Sequence, residues 1–265
     1  MSSSLDSLPA SPREQLICSV ARLLDGCRNV AVGALSPIPG SAALLARALS
    51  GGTTGVTLLG SRRHNYFTDG GRELFDAAGQ GRIDAFFLSG AQIDGEANIN
   101  LTCIGDPARP KARFSGAFGS AYLYFVVPRV ILFREDHDRR VFVPKVDYVS
   151  APGGTEPGVQ RNGGPVALAT SLCVMRFEAA CRRFRLVSLH AGHTLEEVRD
   201  RTGFDFDVPD TVPTTPEPSE DELATLRTKV ADEIAETYPR FAAELFGTAT
   251  GAAPAAGISL ERRPQ

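Results

Sequence analysis

Short apolar segments alternate with helical patterns over the first 150 residues, and this alternation restricts the chain to a few architectures. Most of these apolar segments have four or five residues, as buried strands do, and the last third of the chain adds adjacent strands without helices between them. Such a pattern is typical of an α/β domain. We expect an open, mixed, mainly parallel sheet with flanking helices. Strands are predicted at Asn29–Val32, Val56–Leu59, Asp84–Leu88, Val130–Phe133, Arg140–Val149, Val166–Phe177 and Phe184–His190.

Three S/T-x-x-E sequences mark the beginnings of helices, because they match the capping box in which side chain and backbone cap each other. They start at Ser11, Thr194 and Ser219. The first predicts a helix over 12–25, the second a helix through Arg201, and the third a helix to about Leu245 after an extended linker. Further helices are predicted at 41–50, 73–78 and 121–127. We expect one domain over 11–246, a flexible N-terminus over 1–10 and a disordered tail over 247–265.

Composition excludes several classes of function. The formal net charge is −3, and the basic residues are scattered, so neither nucleic acid nor a membrane surface is expected as a partner. Five widely spaced cysteines and four histidines favour neither a metal site nor a disulfide framework. The polar segment Met1–Ser11 lacks a signal-peptide pattern, so a reduced cytoplasmic location is expected. A G-x-G-x-x-G fingerprint and a G-x-S-x-G elbow are both absent from the sequence, which disfavours dinucleotide enzymes and serine hydrolases.

Glycine-rich loops follow several of the predicted strands. They are Gly33–Gly40, Ser89–Gly95 and Arg113–Ser120. Glycine allows backbone conformations with positive φ and lets a ligand approach main-chain N–H groups closely. Loops at the strand ends of one α/β sheet converge on one crevice. The sequence therefore indicates a site for a phosphate-bearing or acyl-CoA-like ligand.

The order of several short motifs resembles that in the beta (B) subunits of family I CoA-transferases. The motifs, which lie within about residues 14–245, begin at Gly90, Asn98, Ile104, Pro110 and Lys145, and Thr202–Val208 resembles the end of those subunits. The resemblance is to the beta subunit of glutaconate CoA-transferase and also to that of CoA-dependent ring hydrolases of steroid breakdown. It implies an alpha-type partner in a heterodimer or heterotetramer, an active site between the subunits, and coenzyme A as substrate without a permanently bound cofactor.

The resemblance also implies where catalysis takes place, and there this sequence departs from the family. In the transferases, a glutamate just after the second strand attacks the thioester. Here Leu59 is followed by Gly60, which occupies that position, and the next acidic residues, Asp69 and Glu73, are far along the chain. The ring hydrolases also lack this glutamate and use one from their alpha subunit. We therefore expect no catalytic side chain in this chain.

The candidate binding residues lie in three loops and in the basic segment after Gly60. They are Ser36 and Gly40; Gly90, Gln92, Asp94 and Asn98; Gly116, Ala117, Phe118 and Gly119; and Arg62, Arg63 and His64. The three loops are expected to supply oxyanion donors and part of the CoA-binding wall, and the basic segment to contact an anion. Each set also has a purely structural alternative. The first loop would be a proline-stiffened turn capped by Ser41, and the second an Asx turn at Asp94. The third would be a glycine turn that begins a helix, and the basic segment a solvated polar loop.

Three functions remain open at this stage. The first is an acyl-CoA hydrolase or ring-cleaving hydrolase that uses a glutamate of its partner. The second is a CoA-transferase whose carboxylate comes from the partner or from another residue of this chain. The third is a catalytically silent subunit that completes and stabilises its alpha-type partner. The sequence leaves the acyl group undetermined.

Overall fold

A seven-stranded sheet forms the centre of the computed structural model, which describes residues 9–247. Its strands are β1 Asn29–Val32, β2 Gly55–Leu58, β3 Ala85–Leu88, β8 Arg129–Phe133, β9 Pro165–Ala169, β10 Cys173–Glu178 and β11 Arg183–Leu189. The strand order is β11-β10-β9-β8-β3-β1-β2. The five strands from β9 to β2 are parallel, whereas β10 pairs antiparallel with both β9 and the edge strand β11. The predicted mixed, mainly parallel sheet is therefore confirmed.

Helices and two small hairpins cover the faces of this sheet. The helices are α1 Pro12–Arg22, α2 Pro37–Leu49, α3 Gly70–Gly79, α4 Ser120–Val126, α5 Leu195–Arg201, α6 Glu220–Thr225, α7 Ala231–Ala235 and α8 Pro239–Phe246. The hairpins pair β4 Gln92–Ile93 with β5 Ile99–Asn100, and β6 Cys103–Ile104 with β7 Ala112–Arg113. One core contains α1, α2 and the C-terminal helices, and the other contains α3, α4 and the hairpin region. None of the helices described within residues 9–247 is long and apolar enough to span a membrane.

The strand order places a topological switch point beside β1. This strand pairs with β2 on one side and with β3 on the other, so the loops after β1 and β3 leave the sheet in opposite directions. In open α/β sheets, a crevice at the carboxyl ends of the strands forms at such a point. The loops after β1, β2, β3, β8 and β9 all lie along this edge.

Four sequence predictions about the elements are wrong. Helix α2 begins at Pro37 rather than at 41, because two prolines fit the first helical turn, and Gly40 is thus helical. The predicted strand Arg140–Val149 is irregular and pairs only through an isolated bridge at Phe142. The predicted strand Val166–Phe177 is two strands separated by a turn at 170–172. The predicted C-terminal helix is interrupted before Pro239, where a proline ring prevents continuation.

The C-terminal helix contains a π-helical segment, Leu226–Val230, between α6 and α7. This long helix is joined to α1 by two ion pairs. Arg22 binds both carboxylate oxygens of Glu222, and Arg227 binds both oxygens of Glu14. Both glutamates also complete the capping boxes that the sequence predicts at Ser219 and Ser11. The third box is only half formed, because Thr194 caps the backbone of Glu197 while the carboxylate of Glu197 binds His193.

The expected flexible N-terminus and disordered tail lie almost wholly outside residues 9–247.

Candidate active-site edge of the sheet

Gly60 follows β2 at the carboxyl edge of the sheet and has a φ of +92°. A Cβ atom at this position would have free space, since its nearest contact would be Thr237 Cγ2 at 4.0 Å. The position is therefore restricted by backbone conformation rather than by packing, because L side chains rarely adopt such a φ. The site where the resemblance implies a catalytic glutamate carries no side chain.

The carboxylate of Glu236 holds the loop after Gly60 in place. It accepts hydrogen bonds from Ser61 Oγ at 2.8 Å and from the Arg62 backbone N–H at 3.0 Å. Burial acts to raise the pKa of Glu236, but the hydrogen bonds from Ser61, Arg62 and Thr237 outweigh it and lower the pKa. Glu236 is thus an ionised structural acceptor whose oxygens are already occupied. Ser61 Oγ accepts in turn from the backbone N–H groups of Arg63 and His64.

The basic segment after Ser61 does not act as one cationic cluster. Arg63 forms an ion pair with Asp232, with 2.8 Å between Nη1 and Oδ2. His64 is buried, and its Nε2 lies 3.3 Å from Glu233 Oε2, although the geometry does not make this contact a hydrogen bond. Burial lowers the pKa of His64, and Glu233 opposes that shift. Arg62 is exposed and its guanidinium forms no hydrogen bond or ion pair within residues 9–247, so it alone of the three is available to an anion from outside.

The loop after β3 is stabilised by a buried polar network. Gln92 Nε2 donates to Asp147 Oδ2 at 3.0 Å, and Gln92 Oε1 accepts from Asn100 Nδ2 at 2.7 Å and from the Asp147 backbone at 2.9 Å. A Cβ on Gly90 would lie 2.6 Å from Gln92 O, so only glycine fits there. Gln92 and Gly90 therefore form a rigid wall of the crevice.

Asp94 and Asn98 form the structural turn that the sequence leaves as an alternative. Asp94 Oδ1 accepts from the backbone N–H groups of Glu96 at 3.1 Å and Asn98 at 3.0 Å, and Asp94 Oδ2 accepts from Asn98 Nδ2 at 3.1 Å. Asn98 Oδ1 accepts from the Gly153 backbone at 3.0 Å. These side chains order the loop through their own contacts, as an Asx turn does.

The segment Gly116–Gly119 presents backbone groups and an aromatic ring to the outside. Gly116 has a φ of +99° with nothing near its missing Cβ, and Phe118 has a φ of +46°. Phe118 is 86% exposed, and the centroid of its ring lies 5.3 Å from the centroid of the Phe75 ring. Gly119 packs directly against Phe75 and caps α4, and Ala117 is half-buried. A strained, exposed phenylalanine is unusual in a solvated turn and points to a covering partner or ligand.

The loop after β1 is short because α2 begins early. Ser36 is the N-cap residue of α2 but makes no side-chain cap, and its backbone N–H donates to Tyr238 Oη at 3.2 Å. Gly40 packs against Ile234 and Leu58, so it supports helix packing instead of facing a ligand. Leu35, which precedes Ser36, has a φ of +59° and is 91% exposed.

Sequence reasoning missed a cavity of about 840 Å³ beside the loops after β3, β8 and β9. Its walls include Gln92, Phe114, Arg134 and Ser171. The position of Arg134 directly after the apolar strand β8 was a usable signal, because residues that follow parallel strands line the crevice. His137 also lines the cavity, with Nδ1 2.8 Å from Thr170 Oγ1 and Nε2 2.9 Å from Thr202 Oγ1.

Burial lowers the pKa of His137 to about 4, so this histidine is neutral at physiological pH. It is therefore a structural residue of the cavity wall. Within residues 9–247, no group of three or more His, Cys, Asp or Glu side chains is arranged to hold a metal ion.

Comparison with known proteins gives one family match: the model named Coenzyme A transferase matches residues 55–201, more than half of the chain. The chain is 40% identical over 154 residues to the B subunit of the 3-oxoadipate CoA-transferase of Pseudomonas knackmussii, covering 56% of this chain and 58% of that protein. It is 35% identical over 129 residues to the B subunit of the glutaconate CoA-transferase of Acidaminococcus fermentans, covering 46% and 48%. It is 29% identical over 160 residues to the cholesterol ring-cleaving hydrolase IpdB subunit of Rhodococcus jostii, covering 59% and 62%. The matched segments thus span about half to three-fifths of these relatives.

Solved structures match a larger part of the chain. A variant of the decarboxylase AibA/AibB superposes with a TM-score of 0.69 at 28% identity, covering 82% of this chain and 94% of that chain. IpdAB of Rhodococcus jostii superposes with a TM-score of 0.73 at 23% identity, covering 83% and 94%. The second likeness shows the fold alone. Since the similar proteins carry names of transferases, hydrolases and a decarboxylase, the likeness by itself leaves the reaction open.

Proposed function

Because this chain belongs to the coenzyme A transferase family, we propose that it is the beta-type subunit of a two-subunit, cytoplasmic acyl-CoA hydrolase. The relatives named as B subunits support an alpha-type partner, and the relative named as a ring-cleaving hydrolase supports hydrolysis. Coenzyme A enters as part of the substrate.

Gly60 is the observation that carries the proposal. A transferase needs a carboxylate nucleophile that forms an anhydride with the acyl group and then a thioester with CoA. Gly60 has no side chain, and the nearby carboxylate of Glu236 is occupied by Ser61, Arg62 and Thr237. Asp69 and Glu73 lie at the start of α3, where Asp69 pairs with Arg72 and Glu73 binds Thr68. None of these acids is placed as a nucleophile.

In the proposed reaction, a glutamate of the partner accepts a proton from water as the water oxygen attacks the thioester carbonyl carbon. The C–S bond then breaks, and the glutamate returns the proton to the CoA sulfur, so that the carboxylic acid and CoA leave. This chain contributes backbone N–H groups of the Gly90 and Gly116 loops, which stabilise the oxyanion that develops in the transition state. The rigid network around Gln92 supports this role, because preorganised donors need not reorient during the reaction. Arg62, whose guanidinium has no partner in the described part of the chain, is the residue we assign to an anionic part of the substrate.

The test is co-expression with an alpha-type partner, followed by an assay on a panel of acyl-CoA esters with and without acetate. Release of free carboxylic acid and CoA without acetate is the expected result. Turnover that requires acetate and yields acetyl-CoA would contradict the hydrolase and favour a transferase that uses a partner carboxylate. An alpha-type partner that is equally active in the absence of this chain would favour a silent, structural role.

A further inference from the structure

His64 is buried beside Gly60 without the hydrogen bonds that a buried histidine needs. The residue is 6% exposed, and neither of its ring nitrogens has a hydrogen-bond partner within residues 9–247. By contrast, the ring nitrogens of the buried residues His137 and His190 all lie 2.8–2.9 Å from an oxygen. A buried polar group without a partner costs free energy in a folded protein and needs an explanation.

Glu233 of α7 faces the ring but does not satisfy it. Its Oε2 lies 3.3 Å from Nε2 of His64, in a geometry that does not form a hydrogen bond. The Glu233 side chain is itself only 15% exposed, and its carboxylate makes no hydrogen bond within the described part of the chain. Glu233 therefore offers the ring a nearby charge but no hydrogen bond.

The other charged groups around the ring come from three parts of the fold. Arg47 belongs to α2, Glu236 follows α7, and Arg63 precedes His64 in the same loop. Burial has the largest influence and lowers the pKa of His64; Arg47 and Arg63 also lower the pKa, whereas Glu233 and Glu236 raise it. The net direction is downward, so the ring binds a proton less readily inside the fold than in water.

The segment Ser61–His64, which carries this ring, is attached to the fold by few contacts. Its backbone N–H groups donate to Glu236 and to Ser61 Oγ, and its last carbonyl accepts from the Leu58 N–H at 2.8 Å. Its ion pair with Asp232 is about half exposed or more on both sides and contributes little. Local opening of the segment breaks only these contacts and leaves both cores of the protein intact.

Proton binding and opening of this segment are linked. When the segment opens, water reaches the ring of His64, and its pKa returns to the ordinary value near 6.5. A proton then binds more tightly to the open state than to the closed state, so a fall in pH shifts the population toward the open state. Arg62 lies within the segment and moves with it.

From this geometry we propose that Ser61–His64 is a latch that acid releases, in which His64 is the positioning residue that holds Arg62 beside Gly60 at neutral pH. The opening of the latch depends on this chain alone. Its effect on the substrate rests on the proposed function, which assigns Arg62 to an anionic part of the substrate. Proton uptake by His64 thereby regulates binding at this edge of the sheet.

Hydrogen exchange of the full chain between pH 7.5 and pH 5.5, corrected for the intrinsic exchange rates, tests the latch. The amides of Arg62 and His64 donate hydrogen bonds inside the latch and report its opening. Their protection is expected to fall about 10-fold over this range, because the open state takes up a proton below about pH 6.5 while the closed state resists protonation. Amides of β3 and β8 report global unfolding and are expected to stay more protected throughout.

His64→Gln removes the titrating ring, and the protection of the latch is then expected not to depend on pH. Asp232→Asn is the matched control, because it removes the ion pair with Arg63 and keeps the ring. Faster exchange at both pH values with an unchanged ratio is expected for this control. Glu233→Gln removes a charge that opposes the effect of burial, so it is expected to show at least the wild-type fall in protection. A smaller fall in Glu233→Gln would contradict the linkage even if His64→Gln does not fold.

Coenzyme A tests whether the closed latch positions Arg62 for the substrate. We expect coenzyme A, added at about ten times its Kd to the complex with the alpha-type partner at pH 5.5, to raise the protection of the latch amides about 10-fold. The reason is that a ligand bound to the closed latch opposes its opening. Arg62→Met, measured at about ten times its own Kd, is expected to lose this gain.

The outcomes separate the latch from the proposed function. Protection that does not change with pH, or that changes equally in His64→Gln, would overturn the latch and leave the proposed function intact. A fall in protection that depends on His64, without any gain from coenzyme A in a complex that binds it, would overturn the positioning role. The same fall in a chain whose complex binds neither coenzyme A nor butyryl-CoA would support the latch and overturn the proposed function.

Discussion

At the scale of single residues, Gly60 provides the most direct test of the backbone conformation at the carboxyl edge of the sheet. Its φ of +92° places the backbone where a Cβ atom meets the neighbouring carbonyl group. We expect Gly60→Ala to lower the free energy of unfolding by about 1 kcal/mol, even though the space around the missing Cβ is open. Denaturant unfolding of the full chain measures this change.

Gly33→Ala is the control, because Gly33 follows β1 at the same edge without a positive φ. Its added Cβ would lie at 3.8 Å from Phe86, an ordinary contact. A change within about 0.5 kcal/mol is expected there. Equal effects of the two substitutions would show that φ does not constrain Gly60.

His137 is expected to make the protein sensitive to acid. Its folded-state pKa is lowered by burial from 6.5 to about 4, so the unfolded chain takes up a proton at higher pH than the folded protein does. Stability is therefore lost as the pH falls from about 6.5, and the loss is complete below about 4. By linkage, the contribution of this histidine is about 3 kcal/mol.

The measurement compares unfolding free energies of the wild-type chain and His137→Gln between pH 7 and pH 4. The glutamine amide keeps polar contact with Thr170 and Thr202 but does not titrate in this range. Other titrating groups contribute to both proteins, so the difference between the two pH profiles reports His137. Parallel profiles would mean that His137 titrates normally in the folded protein.

Residue roles were the hardest part to predict from sequence. The choice between binding and structure at Asp94 depends on whether its oxygens are occupied by backbone groups several residues away, and a linear pattern does not contain that information. The same holds for Arg63, whose partner Asp232 lies in a distant helix. Arg134 was missed because its buried donor is recognisable only once the cavity walls are assembled.

At the scale of elements, the contact between α1 and the C-terminal helix depends on Glu14 and Glu222. Each of these glutamates completes a capping box and also forms an ion pair with an arginine of the other helix. Glu222 accepts from the Ser219 backbone at 2.7 Å and also binds the guanidinium of Arg22, at 2.9 Å from Nε and 2.6 Å from Nη2. Burial acts to raise the pKa of Glu222, but these hydrogen bonds outweigh it and lower the pKa.

We therefore expect Glu222→Ala to lower the free energy of unfolding by about 2–4 kcal/mol, because it removes a cap and leaves Arg22 without its carboxylate. Glu222→Gln keeps one acceptor oxygen for the capping bond but loses the charge and the second acceptor oxygen, so its cost is expected to be smaller than that of Glu222→Ala. Glu220→Ala in the same helical turn is the exposed control and is expected to change stability by less than about 0.5 kcal/mol. Equal costs for the three variants in thermal or denaturant unfolding would contradict this account.

Helix starts were predicted better than helix ends and strand divisions. Capping boxes are local, so Ser11 and Ser219 identify their helices without tertiary information. By contrast, the turn between β9 and β10 at 170–172 has no glycine or proline, and its hydrogen bonds to Thr170 Oγ1 become evident only in the fold. The segment Arg140–Val149 alternates between apolar and polar residues like a strand. In the described part of the chain, however, it pairs only through the bridge between Phe142 and Ile93.

At the scale of the whole molecule, two strongly exposed apolar side chains lie on loops near the carboxyl edge of the sheet. Leu35 and Phe118 are 91% and 86% exposed, and both have positive φ. Strained backbone and apolar exposure together are expected where a partner covers the surface. The resemblance predicts a partner, but the sequence alone does not show that these two side chains are exposed.

Leu35→Asp is expected to reduce co-purification with the alpha-type partner 10-fold or more, while the isolated chain keeps its thermal midpoint. Val187→Asp, on the edge strand β11 at the opposite end of the sheet, is the control and should leave association unchanged. Size-exclusion chromatography of the mixed subunits distinguishes the two variants. Undiminished association of the Leu35 variant would remove this loop from the interface.

The π-helical segment Leu226–Val230 has a consequence for how this protein tolerates changes in length. A π turn contains one residue more than an α turn, so it absorbs an extra residue while the residues after it keep their rotational phase. Deleting one residue from this segment would therefore restore a regular α-helix and leave Glu233 and Glu236 near their present positions. Deleting Ala231 or Asp232 from α7 would instead turn the residues beyond it by about 100°, away from His64 and Ser61, and the loop at Gly60 would lose its anchor. The effect of a single-codon deletion on the candidate active-site edge thus depends on which side of Val230 it falls.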